Sequence, residues 1–159
     1  MENKKALITG SFDPPTLGHL DIIKRAADIF DEVTVCLFKN SEKRYTFSEE
    51  TRLEMLKAIC KDIDGVKVYS SDKPVVIYAK ENSIRFIVKG ARNSVDFEYE
   101  KFLHQVGNDI NPDVETVILF SRPEYERVSS SAARELLRYG LDLSKYLSPE
   151  VIEIIKKQK

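Results

Sequence analysis

The chain has 159 residues, with 25 Lys and Arg against 26 Asp and Glu and a net charge of −1. This is the length of one domain, able to bury roughly two-thirds of its unfolded surface. The balanced charge gives no general attraction for nucleic acid or membrane. No apolar run reaches membrane-spanning length, and Met1-Glu2-Asn3-Lys4-Lys5 does not open a signal peptide. A cytoplasmic location is expected, with Cys36 and Cys60, each among apolar residues, as buried free thiols.

In chain order, β-branched and apolar runs predict strands over Lys5–Thr9, Glu32–Phe38, Val66–Tyr69, Arg85–Lys89 and Glu115–Leu119. Helical spacing predicts helices near Leu17–Ile29, Glu49–Lys61, Pro74–Glu81 and Val95–Ile110, then Ser130–Arg138 and Pro149–Lys157. Ser148-Pro149-Glu150 joins a hydroxyl cap, a proline at the first helical position and an acid in the first turn. Gly140, just past Leu136-Leu137-Arg138, suits a left-handed C-terminal cap. Strand–helix alternation argues for a single α/β domain over 1–159, a Rossmann-like doubly wound sheet of about five parallel strands with helices on both faces. Lys39–Thr46, polar and basic, reads as an exposed loop after the second strand.

Between the first strand and helix stands Gly10-Ser11-Phe12-Asp13-Pro14-Pro15-Thr16-Leu17-Gly18-His19. A strand-to-helix connection needs only about 2–6 residues, so this one is furnished for something more. Ligands of open parallel sheets bind beyond the carboxyl ends of the strands, where the strand order reverses. Gly10 and Gly18 permit close backbone approach, and the helix start offers N–H groups to a phosphate. His19 can donate to a phosphate oxygen, or it can serve only to cap the loop through a backbone carbonyl. The loop is neither of the two common phosphate cradles, having no Gly-x-Gly-x-x-Gly and no Gly-x-x-x-x-Gly-Lys-Ser/Thr.

Two further segments have the same character. Val88-Lys89-Gly90-Ala91-Arg92 sets two cations about a glycine at a strand end, as a phosphate grip or a solvated basic turn. Asp96 and Glu98, in the first turns of the next helix, are explained by its dipole, whereas Glu100 lies deeper. Ser129-Ser130-Ser131 opens a helix with three hydroxyls where an N-cap needs one, which suits an anion site. His104, with Leu103 and Val106 on a helix, reads as structural or exposed.

Thr16-Leu17-Gly18-His19 fits the T/H-x-G-H signature of the nucleotidyltransferase superfamily, and the longer run from Gly10 to His19 closely resembles the bacterial phosphopantetheine adenylyltransferases. Gly90-x-Arg92 with Asp96-Phe97-Glu98-Tyr99-Glu100, and Val128-Ser129-Ser130-Ser131, resemble later motifs of that family in the same order. The resemblance spans nearly the whole chain. It implies transfer of the adenylyl group of ATP to 4′-phosphopantetheine, giving dephospho-coenzyme A and pyrophosphate, with Mg²⁺ arriving on the triphosphate. It implies that His19 acts on the α-phosphate in the transition state, with Lys43 beside it. Ser11, Lys43, Val75 and Lys89 would hold the acceptor. Ser11, Phe12, His19, Gly90, Ala91, Arg92, Glu100, Tyr125, Glu126, Arg127, Val128, Ser129, Ser130 and Ser131 would bind ATP. A homohexamer and feedback binding of coenzyme A are implied as well, with no nucleic-acid or membrane partner.

The chain departs from the family at three positions: Ser11 for the common threonine, Lys89 for the usual arginine and Ala91 for a frequent leucine. Lys89 keeps the charge and loses the bidentate fork. The competing readings are a sister nucleotidyltransferase, acting on nicotinate mononucleotide or, with CTP, on glycerol 3-phosphate or phosphocholine, and a non-catalytic adenine-nucleotide-binding regulatory protein. Glu126-Arg127-Val128-Ser129-Ser130-Ser131 lacks the R-T-x-G-I-S-T pattern typical of the cytidylyl enzymes.

Overall fold

A computed structural model describes residues 3–39 and 44–158. Five parallel strands, β1 (Lys5–Gly10), β2 (Glu32–Phe38), β3 (Val66–Ser71), β4 (Phe86–Ala91) and β5 (Glu115–Phe120), form one sheet in the order β3-β2-β1-β4-β5. The helices are α1 (Leu17–Ile29), α2 (Glu49–Cys60), α3 (Val75–Glu81), α4 (Ser94–Ile110), α5 (Ser130–Arg138) and α6 (Pro149–Lys157). After β3 the chain returns past β2 and β1 to place β4 on the far side of β1. The strand order therefore reverses between β1 and β4, where a doubly wound sheet opens its binding crevice.

Alternation along the central strands divides the core. Ala6, Ile8, Val33, Val35, Leu37 and Val88 point to one face, which α1, α2, α5 and α6 cover through Ile23, Met55, Leu56, Ala133 and Val151. Leu7, Cys36 and Ile87 point to the other face and meet Ala79 of α3. That second layer is thin. The helix α3 has seven residues, and α4, although 17 residues long, buries none of them. Gly107 lets α4 approach α3, since a Cβ there would come within 3.0 Å of Val76. Both thiols are buried and unpaired, Cys36 against the thin layer and Cys60 in the thick one.

The helix ends follow local chemistry. The Ser148 hydroxyl accepts the Val151 N–H at the start of α6, next to Pro149. Gly140 has φ +67, and the Gly140 and Leu141 N–H groups donate to the Leu137 and Leu136 carbonyls, which closes α5 in a Schellman motif. Of the loop expected to be exposed after β2, the described residues Lys39, Arg44 and Thr46 are exposed. Tyr45 and Phe47 are half-buried, and the Asp13 carboxylate accepts the Thr46 and Phe47 N–H groups at 2.8 and 2.9 Å. A carboxylate from another loop supplies the order that the local sequence lacks.

Candidate active site

The carboxyl ends of β1 and β4, the first turn of α1, one side of α4 and the start of α5 enclose a cleft of about 360 Å³, within the usual range for small-molecule sites. Thr9, Thr16, Gly18, His19, Lys89, Gly90, Arg92, Asp96, Tyr99, Glu100, Ser121 and Val128–Ser131 line it.

His19 is the third residue of α1 and half-buried. Its Nδ1 accepts the Thr16 backbone N–H at 2.9 Å, while the Thr16 hydroxyl lies 3.0 Å from the same nitrogen and accepts the His19 N–H at 3.3 Å. This is a capping box in which an imidazole replaces the usual Glu or Gln. Because Nδ1 accepts a backbone N–H, the proton of the neutral ring sits on Nε2. Loss of water around the ring, and secondarily the Arg92 guanidinium, lower the His19 pKa to about 4. At neutral pH the side chain is therefore an uncharged N–H donor. Of the two roles open to His19 in the sequence, loop capping is present, with His19 accepting a backbone N–H in place of a bond to a carbonyl.

The Phe12 ring meets the His19 ring edge to face, with centroids 5.0 Å apart. Phe12 is buried and has φ +48, a left-handed conformation unusual for a bulky residue. A Cβ on Gly10 would fall 3.0 Å from that ring, so Phe12 itself explains this glycine. Gly18 differs: a Cβ there would make only ordinary contacts at 3.6 Å or more, and its place in the cleft wall leaves room for a ligand.

Across the cleft, Lys89 Nζ lies 3.4 Å from the Glu100 carboxylate, and both side chains are largely buried. Arg92 bonds Asp96 through its backbone N–H and its Nε, at 3.1 and 2.9 Å. Burial alone would raise the Asp96 pKa, but the bonds from Arg92 outweigh it and hold the carboxyl below its ordinary range. Each cation is thus oriented by a carboxylate of α4. Both carboxylates are engaged with these cations, and the described residues contain no cluster of three or more His, Cys, Asp or Glu able to hold a metal ion.

The three serines have separate bonds. The Ser129 hydroxyl accepts the Ala132 N–H as N-cap, Ser130 donates to the Pro14 carbonyl at 2.8 Å, and Ser131 accepts from Arg134. Arg134 also donates to the Asp13 carbonyl at 2.7 Å. The Ser130 hydroxyl and Arg134 therefore secure α5 to the first loop, and a helix start of this kind has N–H groups, here those of Ser130 and Ser131, that could donate to an anion.

A sequence profile of the cytidylyltransferase-like family matches residues 7–136. The chain belongs to the cytidylyltransferase-like family. Solved structures agree on the fold. A candidate nicotinate-nucleotide adenylyltransferase from Vibrio parahaemolyticus superposes with TM-score 0.73 at 21% identity, over 98% of this chain and 93% of that one. Nicotinic acid mononucleotide adenylyltransferase from Plasmodium falciparum, in complexes with NaAD and with APC, gives TM-scores of 0.70 and 0.69. Both complexes are 16% identical and cover 99% of this chain and 96% of theirs.

The cleft of this cytidylyltransferase-like chain gathers His19, Lys89, Gly90, Arg92, Glu100, Val128, Ser129, Ser130 and Ser131 from the expected site. Other expected residues stand behind or beside it. The side chains of Phe12 and Ala91 are buried, so only their backbone can face a ligand. Ser11 offers its carbonyl to Arg52 at 2.8 Å. Tyr125 closes a 3₁₀ turn over Pro123–Tyr125 beside Gly18, and Glu126 and Arg127 are exposed next to it. Val75 opens α3 against the thin layer. Lys43 lies outside the described residues.

Thr9, Tyr99 and Ser121 line the cleft without having been expected there. Thr9 and Ser121 carry no motif. Tyr99 stood inside the Asp96–Glu100 run, and its contribution depends on how α4 leans over β4. The Thr16 bond to His19 could have been read from capping-box spacing, had imidazole been admitted at the third helical position.

Proposed function

We propose that the chain transfers the adenylyl group of Mg²⁺–ATP to 4′-phosphopantetheine, releasing pyrophosphate and forming dephospho-coenzyme A. The observation that carries adenylyl transfer is the meeting of His19, the Lys89–Arg92 turn and the Ser129–Ser131 helix start on one cleft at the switch point. The acceptor identity rests on the sequence resemblance, above all Gly10–His19 and Asp96–Glu100.

The acceptor phosphate is already an anion and attacks the α-phosphorus in line, so no serine or cysteine nucleophile is required. The chain's task is to hold two mutually repelling anions together and to stabilise charge on the α-phosphate and the leaving pyrophosphate. His19 Nε2–H donates to the α-phosphate. Arg92 and the N–H groups of Ser130 and Ser131 hold the β- and γ-phosphates, while Lys89 and Lys43 hold the acceptor phosphate. Mg²⁺ enters as part of the nucleotide substrate. Coenzyme A, which carries the same pantetheine arm, competes for the acceptor site, and the enzyme works as a cytoplasmic homohexamer.

A second reading keeps the chemistry and changes the acceptor to nicotinate mononucleotide. The solved structures with this fold favour it over the first acceptor, since those reported above carry nicotinate-nucleotide names. Their identities of 16–21% extend the likeness to the fold. Pyrophosphate release from Mg²⁺–ATP with each acceptor separately tests both. Release with 4′-phosphopantetheine alone is expected. Release with nicotinate mononucleotide alone establishes the second reading, release only with CTP and glycerol 3-phosphate or phosphocholine establishes a cytidylyl enzyme, and ATP binding without release establishes a nucleotide-binding protein.

A further inference from the structure

Thr16 places two potential donors on one atom of His19. Its backbone N–H lies 2.9 Å from Nδ1, and its hydroxyl oxygen lies 3.0 Å from the same nitrogen. The residue is buried, so water competes weakly for these bonds. An imidazole in water exchanges its proton between the two nitrogens, and only the tautomer with the proton on Nε2 can donate from the edge opposite Thr16. The Phe12 ring, 5.0 Å away and at 66° to the imidazole, restricts rotation of the ring away from this arrangement.

We infer that Thr16 is a positioning residue for His19, its hydroxyl and backbone N–H together holding Nδ1 as acceptor and so keeping the Nε2–H donor directed into the cleft. Thr16 touches no reacting atom in this role and acts through the imidazole. The inference deepens the adenylyl-transfer reading and, for its catalytic consequence, rests on it.

The test compares wild type with Thr16→Val, which is nearly the same shape without the hydroxyl, and with Thr16→Ser, which restores it. The ¹⁵N shifts of the His19 ring report the tautomer whatever the protein catalyses. Wild type and Thr16→Ser should show one fixed tautomer with the proton on Nε2. Thr16→Val, keeping the backbone donor and losing the hydroxyl, should move both shifts part of the way toward the averaged values of a mixed population. With the acceptor that releases pyrophosphate, kcat of Thr16→Val should fall about tenfold, since the backbone donor remains where complete loss of a tautomer-setting partner costs far more. KM for ATP should hold, and Thr16→Ser should recover most of the rate. If Thr16→Val merely unfolds more readily while its ring shifts and kcat stay those of wild type, Thr16 is a helix cap only and the inference falls. If no acceptor supports release in wild type, adenylyl transfer fails, and the ¹⁵N comparison still decides the tautomer.

Discussion

Because the His19 imidazole resists protonation down to about pH 4, it would meet the phosphate of the proposed reaction at neutral pH as an N–H donor and not as a cation. A donor aimed at charge that develops in the transition state contributes mainly to kcat. His19→Ala should therefore lower kcat by roughly 10²-fold or more and leave the ATP dissociation constant within a few-fold, as measured by pyrophosphate release and equilibrium titration. Loss of ATP affinity at unchanged kcat would make His19 a ground-state binder. The same burial has a thermodynamic signature. As pH falls from the ordinary histidine value of 6.5 toward 4, the unfolded chain takes up a proton that the folded chain refuses. Stability contributed at neutral pH is lost through this window as the pH drops, by up to ~3 kcal/mol for a shift of this size. His19→Gln should flatten the dependence of urea unfolding on pH between those limits, while leaving the slope outside them unchanged.

The connection between elements depends on a buried cation. Arg52 of α2 is buried and donates to the Phe47 and Ser11 carbonyls at 3.1 and 2.8 Å, with its guanidinium 3.8 Å over the Tyr45 ring. With the Asp13 bonds to Thr46 and Phe47, this fastens the end of the basic loop to the loop between β1 and α1. Arg52→Met keeps the aliphatic bulk and removes two charge-assisted hydrogen bonds, for a loss of about 3 kcal/mol by denaturant titration. If the fastening orients the acceptor loop, KM for the acceptor rises more than KM for ATP. Little of this could be read from residues 39–46 alone. Their polarity argued for a solvated loop, and the partners that order Thr46 and Phe47 stand 33 and 34 positions earlier, at Asp13. What could be read was whatever depends on near neighbours. The alternation in β1, β2 and β4, the Ser148 cap and the Gly140 stop all depend on contacts within about a turn or a strand, and those elements stand within a residue or two of their expected bounds. The serine run shows the limit of such reading. Three hydroxyls suggested three anion donors, but Ser130 gives its proton to the Pro14 carbonyl, 116 positions earlier in the chain.

At the scale of the whole molecule, the thin second layer leaves apolar surface uncovered. Val95, Tyr99, Phe102, Val106 and Ile110 recur at three- and four-residue spacing along α4, all exposed, with Val95 at 75%. Phe120, at the end of the edge strand β5, is 69% exposed. A monomer of this mass is expected to expose roughly 8,100 Å², whereas this chain exposes 9633 Å². The difference is of the order of what standard interfaces remove from each partner, about 800 Å², or more. A stripe of this length against solvent is what a second copy of the chain would cover, in keeping with the proposed homohexamer. Sedimentation equilibrium should give a mass near a multiple of 18.3 kDa, and Phe102→Glu with Val106→Glu should shift it toward the single chain. Both side chains are exposed within one chain, so these changes should alter its own unfolding by less than ~0.5 kcal/mol each. A wild-type mass of one chain at tens of micromolar would leave the stripe without this partner. Tyr99 belongs both to the stripe and to the cleft wall, so dissociation should also raise KM for ATP, linking assembly to the site through one helix.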